Sequence, residues 1–154
     1  MSSPGAGAAS GAPAAGETVI VLADDLIWAT RLVGQLRTLG AVPIRAGTAS
    51  AFEAALAAGT ATRAVVDLTA RAYDGVAAIG RAAGAGLRVL GVGQHDDPAM
   101  RAAARTAGAE RVLAYRALFE DGHAALAGWL GVPVPAPGSR AVSAPAGPSE
   151  EPPG

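Results

Sequence analysis

The chain has 154 residues, 51% of them hydrophobic and 16% charged, enough for one buried core and hardly for two. A formal net charge of -1 supplies no basic field for nucleic acid or an anionic membrane, and the absence of cysteine excludes disulfides, thiolate nucleophiles and cysteine metal sites. There is no lysine, all 12 basic residues being arginine, so chemistry that needs an ammonium side chain is excluded as well.

Residues 1–16 read MSSPGAGAASGAPAAG, with neither a basic segment nor an apolar run of the signal-peptide kind. Residues 132–154 return to Pro, Ala, Gly, Ser and Glu. Neither stretch can bury enough apolar surface to offset its ordering entropy, so both are expected to be disordered tails around one domain at 17–131. Apolar runs such as VIVLA, about five residues long, fall far short of the roughly 20 that span a bilayer. No membrane association and a cytoplasmic location are expected.

Between the tails, apolar runs alternate with alanine-rich helical stretches. The first strand is expected at Thr18–Ala23, followed by a helix from about Leu26 to Leu39 whose Ala29, Leu32, Val33, Leu36 and Leu39 share one face, closed by Gly40. A strand at Val42–Ala46 leads to a second helix, where Ser50 and Glu53 have the spacing of a capping box and Gly59 marks the end. The strand Arg63–Leu68 precedes a third helix that follows Asp74 and Gly75 and breaks up near Gly84 to Gly86. After the strand Leu87–Gly93, Asp97 caps a fourth helix with Pro98 in its first turn and Gly108 at its end. The strand Arg111–Tyr115 is the fifth, and the last helix aligns Leu126, Trp129 and Leu130 before Gly131.

Near-continuous apolar runs fit strands buried on both faces of a parallel sheet. Five strands alternating with five helices are too few for a (β/α)8 barrel or a double dinucleotide-binding unit, and fit a five-stranded doubly wound sheet. Such a sheet carries its functional crevice beyond the carboxyl ends of the strands. Those ends present Asp24 and Asp25, then Asp67, then Gly93 and Gln94, then Tyr115 and Arg116. Each acid also has a plain structural use. Asp25, Asp74 and Asp96 or Asp97 can cap helices, but Asp67 closes a Val-Val strand, where a carboxylate is costly to bury without a partner. Trp28 fits helix packing or the flank of a ligand, and His95 and His123 are expected at the surface. No Ser/His/Asp set, histidine metal pair or GxxxxGK[ST] loop can be assembled, and the chain is not expected to be an enzyme or to bind an organic cofactor.

The stretch DLTARAYDG, Asp67 to Gly75, together with GQHDDPAMRAAARTAGAERVLAY, Gly93 to Tyr115, and the acidic pair Asp24-Asp25, resembles the receiver domain of two-component response regulators, of the CheY-like kind. The resemblance spans about Thr18 to Leu130. It implies a flavodoxin-like fold with strand order 2-1-3-4-5 and a place in a bacterial phosphorelay. It also implies a phosphoacceptor at Asp67 and weak Mg²⁺ binding by Asp24, Asp25 and Asp67, an oxygen donor set suited to that ion. Two family features are lost, since the switch hydroxyl falls on Gly93 and the lysine on Tyr115. The resemblance therefore implies a stand-alone, atypical module. It would dock to a protein partner, a histidine kinase or a downstream signalling protein, with phosphorylation at Asp67 impaired. Two alternatives stay open: an active phosphoacceptor with Arg116 as substitute cation, and a small-ligand-binding flavodoxin-like domain.

Overall fold

A computed structural model describes residues 16–94, 97–120 and 123–135. Apart from Gly16 and residues 132–135, the two expected tails lie outside the described residues, as do His95 and Asp96. The element order is β1 (Thr18–Leu22), α1 (Leu26–Thr38), β2 (Val42–Ala46), α2 (Ala49–Ala57), β3 (Arg63–Asp67), α3 (Gly75–Gly84), β4 (Arg88–Gly93), α4 (Pro98–Ala107), β5 (Arg111–Ala114), α5 (Tyr115–Glu120) and α6 (Ala124–Leu130). All strand pairs are parallel, in the order β2-β1-β3-β4-β5, which is the flavodoxin-like order.

Alternation along each strand divides the core in two. Val19, Val21, Val65, Leu90 and Val92 face a layer made by Ala29, Leu32 and Leu36 of α1 with Leu118 of α5 and Leu126 and Leu130 of α6. Ile20, Leu22, Ala64, Val66 and Val89 face Phe52 of α2, Ala78, Ile79 and Ala82 of α3, and Ala104 of α4. Right-handed crossovers require this split. The chain steps one way from β1 to β2 and the other way from β2 to β5, so α1 must lie on the face opposite α2, α3 and α4.

Helix starts are set by short side chains that satisfy otherwise unpaired amides. Asp25 accepts from the Trp28 amide at 3.0 Å, Asp74 from Ala77 at 3.0 Å and Asp97 from Met100 at 3.0 Å, with Pro98 in the first turn of α4. At α2 the expected capping box is displaced. Thr48, in extended backbone, accepts from the Ala51 amide at 3.1 Å, Ser50 lies inside the first turn, and Glu53 pairs with Arg81 of α3 instead. At the end of α4, Gly108 has φ 126° and packs so closely that an added Cβ would stand 2.5 Å from that of Ala83.

The fifth expected helix is two. The strand β5 ends at Ala114, and Tyr115, expected to close it, opens α5 directly. The segment YRALFE supports its own turn, because Tyr115 and Leu118 are buried at i, i+3 while Arg116 and Glu120 pair at i, i+4 on the outside. His123 precedes α6 half-buried, not at the surface as expected, and its Nδ1 is enclosed with no hydrogen-bond partner among the described residues.

Candidate functional site

The register fixes which residues meet at the carboxyl edge. Asp67 pairs with Val92 and Gly93 with Ala114, so the ends of β3, β4 and β5 stand side by side, with the end of β1 adjoining β3. Asp67 is 1% exposed. Its Oδ1 accepts from the Thr69 amide at 2.8 Å and from the Thr69 hydroxyl at 2.7 Å. The loop thus satisfies its own buried carboxylate, as a short polar side chain two residues on can do.

Tyr73 closes the other side of the loop. Its hydroxyl lies 3.0 Å from the Leu22 carbonyl and 3.1 Å from that of Asp67, sharing one proton between the ends of β1 and β3. Burial, and then the charges of Asp67 and Asp24, raise its pKa well above the ordinary phenol range. Gly75 is demanded by the same loop, since a Cβ there would stand 3.2 Å from the Asp67 carbonyl oxygen and 3.1 Å from a Leu68 methyl.

Tyr115 stands where the resemblance places a lysine. Its ring is buried, 1% exposed, and stacks on Trp28 with centroids 4.3 Å apart and planes 18° from parallel. Phe119, one helical turn on, stacks on Trp28 at 5.5 Å. Among the described residues the Tyr115 hydroxyl makes no hydrogen bond of ordinary geometry. Burial raises its pKa far above the usual range, and the nearby Asp67 carboxylate, by its charge and as an acceptor within reach of the hydroxyl, then Tyr73 and Asp25, push the same way. Gly93 lines a cavity of about 220 Å³ with Leu68, Thr69 and Met100.

The remaining expected residues are only partly gathered. Asp24 and Asp25 lie exposed at the same edge, but Asp25 spends an oxygen on the Trp28 amide and Asp67 spends one on Thr69. Among the described residues no three carboxylate or histidine side chains stand together as a metal-holding group. The three expected residues share one edge of the sheet without standing as a ready-made metal group. Arg116 is turned outward, its side chain 80% exposed and its Nε 2.9 Å from Glu120, so it supplies no cation to Asp67 as the structure stands. No motif in the sequence marks Thr69, Tyr73, Arg31 or Phe119 as a site residue. Only Thr69 carried a local signal, two residues after Asp67.

No family model matches the sequence, and no curated protein matches it. Solved structures match clearly. A response regulator protein from Burkholderia pseudomallei, bearing a phosphorylated aspartic acid, a calcium ion and citrate, is 18% identical, with 82% of this chain and 71% of that chain covered at a TM-score of 0.65. The signal receiver domain of the response regulator NarL from Mycobacterium tuberculosis is 22% identical, covering 73% and 94% at 0.63. A CheY-like receiver domain protein from Methanospirillum hungatei is 17% identical, covering 75% and 97% at 0.61. The likeness is one of fold: the chain has the architecture of response regulator receiver domains.

Proposed function

We propose that this chain is a receiver-like signalling module that acts by docking to a protein partner, with phosphorylation at Asp67 impaired. The observation that carries the reading is Tyr115, a neutral ring packed on Trp28 at the position where receivers hold a lysine. An acyl phosphate on Asp67 would carry roughly 1.5 to 2 negative charges where the carboxylate carries one, beside Asp24 and Asp25. No lysine exists to offset them, and Arg116 is engaged with Glu120 outside the site. Gly93 has no hydroxyl to move toward a phosphoryl group, so the two states would lack the differential contact that a switch requires.

The partner is a histidine kinase or a downstream signalling protein. Leu26 and Ile27, 65% and 70% exposed at the start of α1 beside the acidic pair, offer apolar purchase for it. Treatment with acetyl phosphate and Mg²⁺, followed by intact-mass measurement, tests the reading. No stable phosphoryl adduct is expected on the wild type, and one should form on the Gly93→Thr, Tyr115→Lys double variant. A wild-type adduct that disappears in Asp67→Asn would overturn it.

A further inference from the structure

The chain has only two each of Trp, Tyr and Phe, and Trp28, Tyr115 and Phe119 all lie at one place, on the α1 and α5 side of the carboxyl edge. Their planes lie within 7° to 18° of parallel. Trp28 and Phe119 are only half-buried, so part of the stack faces an opening of about 350 Å³ that Gln94, Arg31 and Arg116 also line. In a chain so poor in aromatics, a core would claim such rings first, as it does with Phe52.

The charges around the opening are specific. The Arg31 guanidinium lies over the rings, 5.1 Å from the Phe119 centroid and 5.6 Å from that of Trp28, and among the described residues no carboxylate pairs with it. Arg116 pairs with exposed Glu120, a contact that an anion in the opening can replace at little cost. We propose that this cleft binds a small planar aromatic molecule bearing a single anionic group. The rings take the flat body by stacking, and Arg31 and Arg116 take the anion. The volume sits at the lower end of small-molecule sites and suits one or two fused rings. Glu120 at the rim disfavours a multiply charged ligand such as a nucleotide. This inference is independent of whether Asp67 is ever phosphorylated.

The test is a titration of the full-length protein with 2-naphthoate and, separately, with its neutral analogue 2-naphthalenemethanol, followed in amide and indole proton–nitrogen spectra. Trp129, whose indole donates to Glu110 at 3.0 Å near the opposite edge of the sheet, is an internal control. The expected result is a saturable shift of the Trp28 indole with the Trp129 indole unmoved, and naphthoate binding about tenfold tighter than the alcohol. Arg31→Gln should erase that difference without changing the melting temperature, because the side chain is at the surface. Absence of a saturable shift at Trp28 overturns the proposal. So does equal binding of acid and alcohol, or an acid preference that survives both Arg31→Gln and Arg116→Gln.

Discussion

Among the described residues the buried Tyr115 hydroxyl finds no hydrogen bond of ordinary geometry, so beside the Asp67 carboxylate it recovers little of what it gives up to water. Tyr115→Phe keeps the stack on Trp28 and removes the orphaned oxygen, so it should raise unfolding free energy by about 1 kcal/mol in urea. A loss of similar size would mean that the hydroxyl is bridged to Asp67. The raised pKa of Tyr115 and Tyr73 has a second consequence. Above about pH 10 the unfolded chain ionises its tyrosines while the folded one holds them neutral, so the unfolded state binds fewer protons and stability falls as pH rises. Melting temperatures between about pH 9 and 11 should fall less steeply for Tyr115→Phe than for the wild type. At this scale the sequence was readable where the interaction is local. Asp25, Asp74 and Asp97 cap amides three residues away, and their spacing alone announces them. Nothing local announces that Tyr73 bridges two strand ends or that Tyr115 turns onto Trp28, because tertiary packing sets both.

Elements are joined at the amino edge of the sheet by Arg63, 5% exposed at the start of β3. Its guanidinium donates to the Trp129 carbonyl at 2.7 Å and the Leu130 carbonyl at 3.3 Å, pairs with Glu17, and lies 5.0 Å from the Trp129 ring centroid. A cation on the last carbonyls of α6 complements that helix end. Arg63→Ala leaves those carbonyls and Glu17 without their partner, and should cost about 3 kcal/mol in denaturant unfolding. A loss under about 1 kcal/mol would show that α6 docks through Leu126 and Leu130 alone. The sequence hid the start of α5 because Arg111–Tyr115 reads as one apolar run, while a strand's end depends on where its neighbour β4 stops pairing. The edge strand β2 is legible in the sequence, and Pro43 suits its position. The Val42 amide donates inward to Glu17, so alternation turns residue 43 outward, where proline leaves no donor for a stray strand.

The doubly wound architecture was legible as a whole because it follows from alternating apolar strands and helices of limited number, with handedness deciding the faces. That architecture also delivered the acidic residues to one edge. Whether they cooperate there depends on side-chain directions that composition and spacing do not set. Asp67 is held by Thr69, Asp25 by its own helix, and Tyr115 stands in the lysine's place, so on the proposed reading the edge keeps the receiver outline with little of its charge balance. On that reading the outline no longer switches. Backbone amide spectra of the wild type with beryllofluoride and Mg²⁺ measure that directly. The predicted result is a spectrum that superimposes on the resting one, while Gly93→Thr with Tyr115→Lys recovers shifts around the ends of β4 and β5. A full, Asp67-dependent shift in the wild type would contradict the claim and make Arg116 the cation to test.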